Sequence, residues 1–214
     1  MRFESGWYMA STGNIDKKYD KTIGSIQQIG NSPYKRLSRG VPWCFDNGVF
    51  ANKFEIGKWL YKLDMFSDYI DTCLFVVIPD VFEDCKATIE QFNYYRNMVK
   101  DYPVAFVSQD GIRDQEKNIP WDDFDCLFVG GSNEHKLETE GRFIIDEAKK
   151  RGKWVHIGRV NSKGRVLKFW DCDSWDGTDT SYAPSHVTYY HAAVLQARLM
   201  KKSKGMFNDY NFVS

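Results

Sequence analysis

An α/β fold on parallel strands, a compact or irregular (β/α)8 barrel, is what this sequence predicts, and three observations carry that expectation. Short apolar runs recur along the chain and alternate with helix-patterned segments of roughly ten or more residues, the order that builds βαβ units and a parallel sheet. Some runs are continuously apolar and β-branched, Cys73 to Ile78 most clearly, as strands buried on both faces require. The runs also end, again and again, at a residue with a functional group. Phe45-Asp46-Asn47-Gly48, Val77-Ile78-Pro79-Asp80, Phe106-Val107-Ser108-Gln109-Asp110, Phe128-Val129-Gly130-Gly131, Val155-His156-Ile157-Gly158-Arg159 and Ser174-Trp175-Asp176-Gly177 all have this form. In a parallel barrel the C-terminal strand ends meet on one face, where active sites lie. The scattered segments then converge on one pocket.

The elements follow in order. A first apolar stretch around Phe3 to Met9 leads into a polar, glycine-punctuated region reaching Gly40, where Ile23, Ile26 and Ile29 have the spacing of a helix face. Residues 1–40 are the least legible part. Trp43 to Phe45 reads as a strand and Phe54 to Phe66 as its helix; Cys73 to Ile78 is a strand, and Glu83 to Tyr102 a helix with Cys85, Ile89, Phe92 and Val99 on one stripe, closed by Pro103. Val104 to Val107 is a strand, Ile119-Pro120-Trp121 a turn and Cys126 to Val129 a strand. Leu137 to Arg151 is a helix with Leu137, Gly141, Ile144 and Ala148 inward and Gly152 past its end. Trp154 to Ile157, Lys163 to Trp170 and Ser174-Trp175 read as strand, helix and short strand, and Val187 to Met200 as a final helix with Val187, Tyr190, His191 and Val194 on one face. That makes about seven strands where a closed barrel needs eight. An eighth is either hidden in the N-terminal region or missing, and a doubly wound open sheet is the alternative architecture. No G-x-G-x-x-G follows the first strand and no phosphate-loop motif occurs, so neither a dinucleotide nor a P-loop site is indicated.

The 214 residues fit a single domain over 1–214. Twenty-nine basic side chains balance twenty-nine acidic ones, so a nucleic acid would be held by a local patch and not by overall charge. The candidate patches are Lys35, Arg36 and Arg39; Lys163, Arg165 and Lys168; and Lys201, Lys202 and Lys204. Each also reads as a solvated face. Five cysteines without a C-x-x-C pair suggest neither a disulfide framework nor a zinc ribbon. With no apolar leader core and no run near the ~18 residues of a membrane span, a cytoplasmic protein without membrane contact is expected.

Each strand-end residue has a plain reading beside a functional one. Asn47-Gly48 after Asp46 and Gly177 after Asp176 are ordinary turn signals. Asp80 suits a helix N-cap or a substrate ligand, and Gln109 and Asp110 before Gly111 suit a turn, although a glutamine amide also offers the donors and acceptor that reading a base edge requires. Gly130-Gly131 allows close backbone approach to a ligand. A lone strand histidine such as His156 is more often a satisfied core residue, and Arg159 is a plausible phosphate anchor.

The order of these motifs from about residue 43 to about 180 resembles the tRNA-guanine transglycosylase superfamily, in particular its short phage and bacterial DNA-directed branch. Asp46-Asn47-Gly48-Val49-Phe50 resembles the family's Asp-Ser-Gly-Gly-Phe motif, which carries a general acid/base aspartate. Asp80 falls where the family recognises the base, Gln109 matches a glutamine after the next strand, and Gly130-Gly131 matches its paired glycines. Asp173-Ser174-Trp175-Asp176 is similar to the segment bearing the nucleophile, which makes Asp176 the implied nucleophile and Asp46 the implied acid. Asn47, Asp110, His156 and Arg159 complete the expected base and substrate contacts.

The chain departs from the family in having no cysteine-rich zinc subdomain after Cys172, in Asn47 for the motif serine, and in Ser132-Asn133-Glu134-His135 after Gly131. Recognition of tRNA, and guanine as the base, are therefore not implied. The resemblance implies an enzyme without cofactor or metal that acts on a nucleobase in DNA, with RNA the lesser expectation. The reading is a glycosylase excising a modified base, as in antiviral defence, with exchange for a 7-deazaguanine as the alternative. A non-catalytic nucleic-acid binding module and a metal-dependent hydrolase using Asp46, Asp80, His156 and Asp176 are the competing classes.

Overall fold

The computed structural model describes residues 6–11, 15–30, 34–178 and 183–209. Eight strands, all parallel to their neighbours, close into a barrel in chain order. They are β1 (Trp7–Ala10), β2 (Ile23–Gln27), β3 (Trp43–Phe45), β4 (Cys73–Val77), β5 (Val104–Ser108), β6 (Cys126–Val129), β7 (Trp154–Ile157) and β8 (Ser174–Asp176). The helices are α1 (Tyr34–Leu37), α2 (Ile56–Met65), α3 (Cys85–Tyr95), α4 (Asn133–Leu137), α5 (Thr139–Lys150), α6 (Lys163–Lys168) and α7 (Ser185–Asp209). The fold is a (β/α)8 barrel, and the open-sheet alternative falls because β1 pairs with β8, Tyr8 opposite Trp175 and Met9 opposite Asp176.

The missing strand is β2, in the segment that the Ile23, Ile26 and Ile29 spacing assigned to a helix. A barrel strand is covered on both faces, so the alternation that marks a strand disappears. Here the face turned to the helices is partly polar: Ser25 and Gln27 share it with Ile23 and are buried, and Gln27 Nε2 donates to Ser25 Oγ at 2.9 Å, while Gly24 and Ile26 face the interior. Gly24 has a further reason to lack a side chain, since a Cβ there would lie 2.4 Å from Met9 Sδ.

The core has two layers. Met9, Cys44, Leu74, Val77, Ala105, Val107, Cys126 and Trp154 fill the barrel interior. Outside the strands, Trp43, Trp59, Phe66, Phe92, Phe106, Ile144, Val166 and Val194 belong to the larger layer between sheet and helices.

Several helix boundaries differ from expectation, two of them near the site. The helix expected from Glu83 to Tyr102 is α3 plus a 3-10 turn over Arg96–Met98, because Asp84 caps its start by accepting from Ala87 N. Asp80 is consequently not the N-cap. The helix expected from Leu137 to Arg151 is two, α4 and α5, broken at Glu138. Gly141 permits the break: a Cβ there would sit 2.4 Å from the Lys136 carbonyl oxygen.

The first expected phosphate patch is also corrected. Arg36 is fully buried and donates to the carbonyls of Ile23 and Gly24, while Arg39 is paired with Asp20. Arg36 ties α1 to β2, and Arg39 ties the turn after α1 to the loop before β2. Lys202 and Lys204 have side chains outside the described residues, and all five cysteines are buried and unpaired. Among the described residues no helix is long and apolar enough to cross a membrane.

Candidate active site

A cavity of about 150 Å³ opens at the C-terminal strand ends, lined by Asp46, Asn47, Asp80, Gln109, Gly130, Gly131, Arg159 and Asp176. Eight of the ten expected site residues therefore share one wall. Val77, Val107 and Phe128 add apolar surface, and Phe50 and Phe82 line the same space. Those two rings meet edge to face at 5.2 Å and are 63% and 41% exposed. Drug-sized ligands occupy pockets of ~300 Å³ or more, so this cavity suits one planar group.

Asp46 follows β3 directly. Its Oδ1 accepts from Gly48 N at 3.0 Å and its Oδ2 from Gln28 Nε2 at 3.2 Å. The Asn47-Gly48 pair makes no hairpin here; it begins a 3-10 turn, with Gly48 in the left-handed region at φ 76°. Burial raises the Asp46 carboxyl above its ordinary range, and the Asp176 charge adds to that, more than the Gly48 amide and Gln28 offset.

Asp176 ends β8 and is held at both oxygens. His156 Nε2 lies 2.9 Å from Oδ2, and Arg159 N donates to Oδ1 at 2.9 Å. Behind the histidine, Nδ1 is 2.8 Å from Ser174 Oγ, which accepts from Trp154 Nε1 at 2.9 Å. An indole N–H can only donate. The Ser174 hydroxyl proton is then free to point at His156 Nδ1, which assigns the remaining proton to Nε2, directed at Asp176. Burial acts to raise the Asp176 carboxyl, but the hydrogen bond of His156, the Arg159 amide and the Lys136 charge outweigh it and hold it below the ordinary range. The two carboxyls are thus pushed apart, Asp46 toward its protonated form and Asp176 toward its ionised one.

Asp80 is gripped by two amides: Asn47 Nδ2 donates to Oδ1 at 2.8 Å and Gln109 Nε2 to Oδ2 at 2.6 Å. Gln109 Oε1 in turn accepts from Glu83 N at 3.0 Å, so its orientation is fixed. Burial raises the Asp80 carboxyl, and those two amides partly counter it. Gly130 and Gly131 let the β6 end come close; a Cβ on Gly130 would lie 2.6 Å from Val107 Cγ1, and one on Gly131 2.6 Å from Asp110 Oδ2.

The two remaining expected residues stand behind the cavity. Asp110 takes both the amide and the hydroxyl of Ser132, at 2.9 and 2.5 Å, and so clamps the β6–α4 loop. His156 is fully buried and reaches the cavity only through Asp176. Arg159 has φ 62°, a conformation that L residues seldom adopt. Its guanidinium donates to the Gly131 carbonyl at 2.5 Å and lies 4.8 Å from the Phe50 ring centroid.

Several residues were not signalled by the sequence. Gln28 and Phe82 sit in loops without a distinctive pattern, Phe50 belongs to the Asp46–Phe50 motif but had no role of its own, and Lys136 in Asn133–Leu137 reads as an ordinary surface charge. A second cavity of about 160 Å³, lined by Ser11, Gln28, Asn161 and Thr178, shares Asp46, Asp176 and Arg159 with the first. Among the described residues, no group of three or more His, Cys, Asp or Glu side chains is disposed to hold a metal ion. Comparison with known proteins finds no matching family model and no similar curated protein.

Proposed function

We propose that the protein cleaves an N-glycosidic bond in DNA and releases the base, with Asp176 as nucleophile and Asp46 as general acid. One observation carries this reading: two carboxyls with opposite protonation tendencies lie in the wall shared by two cavities, one walled by aromatic and aliphatic side chains and the other by polar ones. A flipped base in the first cavity and its sugar in the second would set the scissile bond between the two groups. The strand-order resemblance to the DNA-directed branch of the tRNA-guanine transglycosylase superfamily points the same way.

The steps follow from the groups. The base enters past Phe50 and Phe82, whose faces can stack on it. Gln109 and the carboxylate of Asp80 face its polar edge. An ionised Asp176 oxygen attacks C1′ as the C1′–N bond breaks through an oxocarbenium-like state, and the departing nitrogen takes its electron pair and the Asp46 proton. The product is a sugar ester on Asp176. Asp46, now a carboxylate, removes a proton from water as water opens that ester, leaving an abasic site and restoring both groups. Exchange for an incoming 7-deazaguanine would use the same ester with a base in place of water.

The test is mass spectrometry of bases released from DNAs containing ordinary and modified bases, with and without free deazaguanine. Asp176→Asn is expected to lower release by roughly 10³-fold or more, in line with loss of a nucleophile. Undiminished release would remove Asp176 from the chemistry. Tight DNA binding with no released or exchanged base, unaffected by Asp46→Ala, would instead define a binding module.

A further inference from the structure

Lys136 lines the base cavity, is only 3% exposed, and its Nζ has no hydrogen-bond partner. An ammonium buried without a partner is costly, so the groups near it decide what it is for. Arg159 and Arg165 repel it, and Asp176 and Asp110 attract it. Neither carboxylate pairs with it, and both are committed elsewhere. Asp176 already holds His156 and the Arg159 amide, and Asp110 holds the amide and hydroxyl of Ser132. The chain itself supplies no partner, which leaves Nζ available to an anionic group on a ligand in the cavity.

We propose that Lys136 forms an anion-binding corner of this cavity, so that the base it accepts carries an ionised oxygen substituent, a carboxylate being the simplest. This rests on the glycosidic reading of the same site and narrows its substrate class. Asp80 follows β4 and Lys136 follows β6, two strands further round the barrel. A base that offers N–H donors to Asp80 and a carboxylate to Lys136 satisfies both charges at once. A backbone phosphate is the other source of anionic oxygen, but its two ester links keep it at the mouth, whereas Nζ is buried below. Burial and the two arginines lower the lysine to about 8, which leaves it charged at neutral pH.

Equilibrium titration of the wild-type protein with free bases tests the proposal: 7-carboxy-7-deazaguanine against its carboxamide, and 5-carboxycytosine against its carboxamide. At least one acid is expected to bind roughly 10- to 100-fold more tightly than its amide, the range for a charge-assisted hydrogen bond. Lys136→Met should erase that ratio and leave the affinity of a short abasic single-stranded oligonucleotide unchanged. Equal binding of acid and amide by the wild type overturns the proposal, as does a ratio that survives in Lys136→Met. Equal weakening of acid, amide and oligonucleotide by that variant would assign Lys136 to phosphate and overturn it too. Acid preference without base release from any DNA would keep the subsite and end the glycosidic reading; Asp176-dependent release without acid preference would do the reverse.

Discussion

Replacing Lys136 by Met should make the free protein more stable, because the wild type folds around a charge that nothing in the chain satisfies. The lysine moves from 10.5 to about 8 on folding, and at 1.36 kcal/mol per unit the full shift corresponds to roughly 3 kcal/mol against the charged form. The side chain lines a cavity open to water, so screening reduces this by about half, to about 1–2 kcal/mol. Methionine keeps most of the aliphatic stem, which limits packing losses. For a chain of this size, that gain raises Tm by about 2–8 °C.

The pH dependence separates charge from packing. Between about 8 and 10.5 the unfolded chain holds a proton on Lys136 that the folded protein has lost, so wild-type stability from this group rises with pH across that window. The advantage of Lys136→Met should be full at pH 7 and nearly gone at pH 10.5. Denaturant or thermal unfolding of the two proteins at both pH values measures it. A variant about 1 kcal/mol less stable at pH 7 would show that Nζ is satisfied in the folded protein. A gain equal at both pH values would assign it to packing. Either result refutes the reasoning.

Other outcomes follow from the same site. Base release should have a bell-shaped pH dependence: it falls on the acid side as Asp176 gains a proton, and on the basic side as Asp46 loses its own above the usual carboxylate range. Asp46→Asn should lower the rate by about 10²–10⁴-fold and flatten the basic limb; an unchanged basic limb would exclude Asp46 as the acid. His156→Leu removes the donor on Asp176 Oδ2, so burial prevails and the acid limb should move to higher pH, as a rate–pH profile would record. Gly131→Ala places a Cβ at φ 71° and 2.6 Å from Asp110 Oδ2, and should cost about 2 kcal/mol or more. Gly164→Ala, in α6 with open space around it, should instead stabilise by up to ~1 kcal/mol. Unfolding midpoints distinguish the pair.

Where the physics is local, the sequence was a good guide. Cys73 to Val77 and Val104 to Ser108 are buried along their whole length, and continuous β-branched runs announce that. Asp46, Asp80, Gln109 and Asp176 were visible because a parallel barrel converts "end of an apolar run" into a place on one rim. Residues whose neighbours come from far along the chain were not legible. β2 reads as a helix because the spacing of Ile23, Ile26 and Ile29 does not carry the bond from Gln27 to Ser25 that lets two polar side chains be buried on its outer face. The charge of Arg36 reads as a solvated face, whereas its guanidinium is buried on two backbone carbonyls. His156 fitted neither alternative alone: it is a core residue, and it is also the partner of Asp176, 20 positions away. Lys136 had no signal, since its significance is the absence of a partner.

Arg159 faces the site with two different parts of itself. Its amide holds Asp176, its guanidinium holds the Gly131 carbonyl beside Phe50, and the left-handed backbone between them serves both. The aim of the carboxylate and the position of the entrance are therefore settings of one residue. A change at Arg159 would therefore reach the Asp176 carboxylate and the cavity mouth together.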